Sequence, residues 1–407
     1  MTVSWLGSGS MPGMIAAAGT DVAAAPTPAG ERSLTPDLAR GLALLGIAVA
    51  NSVVQLYGTP TGPGHRQLNS GVPDDIVDGV VTVLVDNRAF CLFALLYGYG
   101  MHQLMSHQLA RGANIERVRG ILLRRCGVLV VLGIAHGVLL YDGDILASYG
   151  LLGLVIVLCL TGRDSALLGL AVAFTFVLGF LDSFDGLSDP SGNAPRSAEP
   201  LAELAVRSVN TANSLVADLT VGLGLLTPML LGVLLARRAV LDRPAEHLRL
   251  LRGLAMGGIT VSVLGAVPFA VTVVTGGQTW GEHAPALAAV QGVTGLGAGL
   301  GYPALIGWWV ASRSERLAVQ GRLGWWGRAL VATGRRSASG YLAQSVLLVP
   351  LLSPGSLGLG GVLGSWEVTL LAVGVWVATV LGSVLLERWD MRGPAEWLLR
   401  RVGYGTG

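Results

Sequence analysis

Two polar side chains stand inside long apolar runs, where a helix leaves little water to meet them. His136 follows Arg125 by eleven residues, and Asn51 follows Arg40 by eleven. Eleven residues of α-helix rise roughly 16 Å. If both helices start at the same membrane face, the imidazole and the amide lie at one depth, near the middle of a bilayer. A charge at the bilayer centre costs about 2.5–3.5 kcal/mol on insertion scales, so polar residues there are candidates for function. An imidazole at that depth is suited to general acid–base chemistry. Two plainer readings stand beside this one. His136 can be a packed histidine that donates to a carbonyl one turn below, and Asn51 can bond two helices together. Tyr341, Gln344 and Ser345 share one helical face at i, i+3 and i+4, and either line the same cavity or bond across helices. The other histidines are less suggestive. His102 and His107 are five apart, a poor spacing for one metal ion, and His247 and His283 fall in loops. His65 follows Asn51 closely enough to fold back over a cavity mouth. No metal site is expected.

These residues sit in a chain built for lipid. Of its 407 residues, 52% are hydrophobic and 13% are charged, and the mean hydropathy is +0.62. Soluble domains carry about 25% charged residues, so this chain cannot cover a water-facing surface. All 27 basic residues are arginine, and the net charge is +2. The composition excludes a disordered chain, a soluble enzyme, a disulfide scaffold and a nucleic-acid binder. Cys91, Cys126 and Cys159 are far apart and lack ligand spacing, so they read as small buried apolar residues. Residues 1–31 lack a basic segment followed by an apolar core and read as a disordered tail. Residues 32–407 read as a single transmembrane domain.

A span needs about 20 mostly apolar residues. Ten segments qualify, near 36–57, 87–106, 121–141, 145–161, 165–182, 217–236, 253–275, 286–311, 331–352 and 366–387. Thr35-Pro36-Asp37 opens the first with capping and first-turn residues. Residues 75–86 carry Ile76, Val77, Val80, Val81, Leu84 and Val85 on one face, with Asp75, Asp78 and Thr82 opposite. This reads as an amphipathic helix in the membrane interface, and 201–215 is a second candidate. With ten spans and a cytosolic N-terminus, all but four of the 27 arginines fall on the inside; Arg66, Arg88, Arg196 and Arg207 are the exceptions. That bias fits the positive-inside rule with both termini cytosolic. The expected fold is therefore an all-α, multi-pass bundle of about ten helices. Gly133 and Gly137 are spaced for close helix approach, and Pro228, Pro268, Pro303 and Pro350 should kink their spans.

The stretch RSLTPDLARGLALLGIAVANS (32–52) resembles the opening of YeiB-like bacterial membrane proteins, which read roughly R-x-x-x-L-D-x-x-R-G-x-A-x-x-G-I-x-x-x-N. Three later regions agree: NRAFCLFALLYGYG (87–100), RRCGVLVVLGIAHGVLLYDGDIL (124–146), and GRRSASGYLAQS (334–345) with RGPAEWLLR (392–400). Pro36 departs from the usual Leu, which the start of a helix tolerates. That group is in turn similar to transmembrane acyltransferases, the acyltransferase-3 enzymes and the heparan glucosaminide N-acetyltransferase. The resemblance implies an acyltransferase-like bundle in the bacterial plasma membrane. Acyl-CoA or acetyl-CoA would be the cytosolic donor. A small-molecule, glycan or lipid acceptor with a hydroxyl or amine would wait on the outer side. Arg125 and His136 match the Arg-x10-His motif of acyltransferase-3. Asn51 falls where that group has a histidine and where the glucosaminide enzyme keeps Asn, followed by a catalytic histidine. This leaves His65 as the alternative base.

On this reading Arg40, Arg124 and Arg125 meet the phosphates of CoA. His136 takes the acceptor proton, Asn51 orients the imidazole or donates to the oxyanion, and Asp144 holds the acceptor at the outer mouth. Membrane lipid surrounds the chain, nucleic acid is no partner, and a homodimer is left open. The alternative is a transporter or lipid flippase using the same cavity. Against it stand the lack of an inverted repeat and of an intramembrane carboxylate chain in the sequence. A non-catalytic scaffold would need no depth-matched polar pair.

Overall fold

The computed structural model describes residues 33–68, 70–188, 198–220, 222–313 and 323–405. The expected tail over 1–31 and Arg196 lie outside them. Each apolar segment forms helix. The helices are α1 (Leu34–Val53), α2 (Val72–Leu84), α3 (Arg88–Ala110), α4 (Ile115–Leu139), α5 (Leu146–Cys159) and α6 (Asp164–Asp182). They continue with α7 (Pro200–Thr220), α8 (Leu226–Arg237), α9 (Leu248–Gly253), α10 (Ile259–Val274) and α11 (Ala284–Ser312). The last are α12 (Trp325–Gly334), α13 (Ser337–Leu352), α14 (Ser365–Arg388) and α15 (Pro394–Tyr404). Helix α1 starts one residue before the expected Thr35 cap, and Ser33 Oγ donates instead to the Leu241 carbonyl at 3.1 Å.

Five stretches are both long and apolar enough to cross a membrane: Val72–Ala110, Ile115–Leu139, Asp164–Gly186, Pro244–Val274 and Ser365–Arg388. Pro200–Ala217 and Gly222–Arg237, bent by 62°, make a sixth if they act as one span. The apolar helices Leu146–Cys159 and Ser337–Leu352 are shorter than the roughly 20 residues of a straight crossing.

The helices are arranged inside out relative to a soluble protein. On α2, Val72, Ile76, Val80 and Leu84 are exposed at four-residue spacing, while Asp78 and Thr82 are buried. Helix α7 repeats the pattern, with Leu201, Val209 and Val216 outside and Glu203, Arg207 and Thr211 inside. Exposed apolar rows have no cost in lipid, whereas polar groups there must find protein partners. Helix α2 thus has the amphipathic period that its sequence predicts. Its polar face turns into the protein, and α2 runs on through a short break into α3 as one 39-residue apolar stretch.

Arg88 stitches that break. Its side chain is fully buried. Nε donates to Ser262 Oγ (3.0 Å), Nη1 to the Asp86 and Thr82 carbonyls (2.7 and 3.2 Å), and Nη2 to the Ser262 carbonyl (3.0 Å). Nearby, Arg66 Nη2 donates to Asp86 at 2.5 Å, and Asp78 lies 3.5 Å from Arg66 Nε. Burial works against the Arg66 charge, but Asp86 and then Asp78 outweigh it and hold the guanidinium above its ordinary value. Asp78 and Asp86 meet at Arg66 because the loop carrying it folds back onto α2, a contact with no local sequence signal.

Backbones approach closely at α3 and α8, where a Cβ on Gly98 or on Gly232 would run into the opposing main chain at Met229 or Leu95. Helix α1 is central. Leu44 and Ile47 are fully buried, Trp376 Nε1 of α14 donates to the Gly41 carbonyl at 3.1 Å, and Gln344 Nε2 of α13 donates to the Leu44 carbonyl at 3.1 Å.

Candidate functional site

Helices α4 and α5 form a hairpin whose turn, Tyr141-Asp-Gly-Asp144, brings a carboxylate back onto the helix it has just left. His136 Nδ1 lies 2.7 Å from Asp144 Oδ1, and both side chains are buried, 1% and 3% exposed. Asp144 Oδ2 accepts from the Ala147 amide at 2.9 Å, a capping bond that fixes the carboxylate at the start of α5. One oxygen thus anchors the residue and the other holds the imidazole. A carboxylate on Nδ1 favours the tautomer with the proton there, leaving Nε2 as the basic nitrogen. His136 Nε2 is enclosed and has no hydrogen-bond partner among the described residues. The imidazole is further held by Tyr341, 5.2 Å between ring centres, and by Tyr141 at 6.4 Å. Tyr341 Oη accepts from the Ile145 amide at 3.3 Å.

The two glycines of α4 make this geometry possible. A Cβ on Gly133 would strike the Asp144 carboxylate and the Ala147 amide, and one on Gly137 would lie 2.7 Å from Thr211 Oγ1 of α7. The small-residue spacing thus makes room for the site on one turn and for α7 on the next.

A cavity of about 250 Å³ opens further down α4. Arg40, Arg125, Arg335 and Arg400 line it, with Asp37 and Glu396. Two of these cations are committed to protein partners. Arg40 Nη1 donates to Asp37 at 3.2 Å, and Arg335 contacts Asp37 at 3.4 Å and Glu387 at 3.1 Å. Arg125 makes no hydrogen bond or ion pair among the described residues. Leu129 and Leu146 also line it. They belong to a cluster with Leu44, Ile47 and Tyr341, and Tyr341 in turn packs against the imidazole.

The remaining expected residues are placed as follows. Arg124 is exposed and outside the cavity wall; neighbours on a helix point about 100° apart, so Arg125 alone of the pair faces in. Asn51 is buried on α1, and no hydrogen bond joins it to His136 among the described residues. Asp144 takes the orienting part that Asn51 was expected to play, and it lies buried against His136 rather than at an outer mouth. Tyr341 touches His136, Gln344 ties α13 to α1, and Ser345 is buried on the same helix. His65 is half exposed, 3.6 Å from Asp185, and stands apart from this site.

Asp37, Arg335, Arg400 and Glu396 stand in stretches quoted above but are not among the expected site residues. Glu396 Oε1 accepts from the Ala338 and Ser339 amides at 2.9 and 3.2 Å, and Oε2 from Ser339 Oγ at 2.5 Å. It caps α13 from another helix, which satisfies first-turn amides that α13 leaves open. The signal was present in the GRRSASGY and GPAEW stretches, but only the fold joins them.

The C-terminal part of the chain, residues 235–406, matches the family described as Protein of unknown function (DUF418). The chain is similar to the uncharacterized protein YeiB of Escherichia coli (strain K12), 28% identical over 397 residues that take in 91% of this chain and 96% of the relative. It is also similar to the uncharacterized protein YxaH of Bacillus subtilis (strain 168), 25% identical over 417 residues, with 93% and 96% covered. These homologues support a YeiB-like family. The DUF418 match takes in Arg335, Tyr341 and Glu396, whereas Arg125, His136 and Asp144 lie before it.

Proposed function

We propose that the chain is a transmembrane acyltransferase that moves an acyl group from cytosolic acyl-CoA to a hydroxyl or amine on the opposite side of the bacterial plasma membrane. The observation that carries this reading is the buried His136–Asp144 pair, whose Nε2 is left without a partner. In a site already closed to water, a histidine held on one nitrogen and open on the other is suited to proton transfer. The arginine-lined cavity supports the donor's place: Arg125 is available to phosphate oxygens, and the apolar end toward Leu129 and Leu146 suits an acyl thioester. The ten-span topology with both termini cytosolic goes with this reading, since it puts the cavity at the inner face and the pair farther out.

The reaction balances with these groups. The acceptor oxygen or nitrogen attacks the thioester carbonyl while its proton passes to Nε2. Asp144 stabilises the imidazolium that forms. The new acyl bond replaces the carbon–sulfur bond, and the leaving thiolate takes the proton back from Nε2. The apolar cluster between cavity and imidazole must part for the thioester to arrive.

The Arg66–Asp78–Asp86 group, in which Arg66 and Asp78 are buried and Asp86 is partly exposed, favours a second reading, a transporter or flippase, because enclosed carboxylates recur in ion-coupled carriers. The two are separated by incubating the reconstituted chain with radiolabelled acetyl-CoA and membrane extract. Covalent label on an acceptor, lost in His136→Ala, supports the enzyme. No acyl-CoA binding and no transfer reject it.

A further inference from the structure

Helix α15 presents one face to the arginine-lined cavity. Glu396, Arg400 and Gly403 recur at i, i+4 and i+7, which is one side of a helix. Glu396 and Arg400 line the cavity, as does Tyr404. Gly403 lies against α4: a Cβ there would stand 3.1 Å from Arg125 Cγ, tighter than ordinary contact. Arg400 is thus one turn from the residue that touches the stem of Arg125, and both guanidinium groups belong to one cavity wall.

The start of α15 is fixed in register. Glu396 is held by the Ala338 and Ser339 amides and by Ser339 Oγ, and the Ala395 amide donates to Ser339 Oγ at 3.0 Å. Arg336 Nε and Nη2 donate to the Met391 carbonyl at 3.1 and 2.6 Å. A slip of one residue would turn Arg400 about 100° from the cavity. The wall carries four guanidinium groups and two carboxylates, a surplus of two positive charges. Asp37 is engaged by Arg40 and Arg335, and Glu396 by the first turn of α13, where backbone amides favour a negative charge. Such a wall suits a ligand with two negative charges on oxygens within reach of forked donors, which is the chemistry of a diphosphate.

Resting on the acyltransferase reading, we infer that α15 is a donor-binding element, in which Arg400 and Arg125 together grip the diphosphate of acyl-CoA. Arg400 takes the part expected of Arg124, which is outside the cavity wall, and of Arg40, which is tied to Asp37. The eleven residues from Arg125 to His136, roughly 16 Å of helix, leave room for the extended arm that joins the diphosphate to the thioester.

The test uses the full-length chain in phosphatidylcholine nanodiscs, with calorimetric titration of CoA and of pantetheine, which lacks the phosphates. Arg400→Gln should weaken CoA about tenfold, the worth of one charge-assisted bond, and leave pantetheine unchanged. A second measurement needs no variant. In wild type, deuterium exchange over 394–405 should slow with CoA and with inorganic pyrophosphate. Phosphatidylglycerol added to the nanodiscs offers a lipid phosphate instead and should slow nothing there. The inference is overturned by equal CoA affinity in wild type and Arg400→Gln, by equal weakening of CoA and pantetheine, or by protection from phosphatidylglycerol in place of CoA. None of these measurements needs an acceptor. Arg400-dependent CoA binding without transfer would reject the enzyme and keep the site; transfer from acetyl-CoA with CoA affinity unchanged in Arg400→Gln would do the reverse.

Discussion

Arg88 and His136 are both polar side chains buried in apolar helices, and they are satisfied to opposite degrees. Arg88 makes four hydrogen bonds, to Ser262 and to the carbonyls of Thr82 and Asp86. His136 is held firmly through Nδ1 and left open at Nε2. The first pattern is that of a structural pin, in which donors are matched to main-chain acceptors the fold could not otherwise satisfy. The second holds a reactive atom in place without occupying it. Burial of a polar group alone therefore separates nothing here; the proposed reading rests on an imidazole held at one nitrogen and open at the other. Arg125, unbonded in a cavity wall, belongs with His136, and Arg40 and Arg335, tied to Asp37, stand between the two patterns.

The largest expected effect falls on the pin. Arg88→Met should destabilise the protein by about 3 kcal/mol or more, because several buried carbonyls lose their donor at once. It should appear as a large fall in melting temperature in detergent, whereas His136→Ala should melt within a few degrees of wild type. Equal melting of the two variants would break the distinction. Next comes Gly133→Ala, whose methyl group collides with Asp144. Overpacking there should cost about 1–3 kcal/mol, and transfer should fall further than in a surface variant of matched stability. His136→Ala and Asp144→Asn follow: each should cut transfer by about 10²-fold or more with little loss of fold. An Asp144→Asn variant as active as wild type would remove the carboxylate from the mechanism. The smallest effect separates neighbours. Arg125→Gln should weaken acetyl-CoA binding about tenfold, measured by calorimetry, and Arg124→Gln should leave it unchanged.

Much of this is legible in the amino-acid sequence. Apolar length marked the helical segments, and the Arg–His spacing led to His136, because rise per residue is a property of the helix alone. Azimuth is not. Depth put Asn51 level with His136, yet whether two helices face each other depends on packing, and Asp144 reached the imidazole instead through a tight turn. The same limit hid which of Arg124 and Arg125 faces inward. Glu396 stands in the GPAEW stretch, but that it caps a helix some 57 residues earlier is set only by the fold. The amphipathic period of α2 was clear, but its sense was not, since an apolar stripe faces the core in water and the solvent in lipid.

On the proposed reading His136, poised by Asp144, is the proton-transferring base. The most direct measurement is single-turnover transfer from radiolabelled acetyl-CoA in proteoliposomes, comparing wild type, His136→Ala and His65→Ala. Transfer in wild type and His65→Ala with loss in His136→Ala is the expected result. Transfer that persists in His136→Ala, or that is lost in His65→Ala instead, would contradict it.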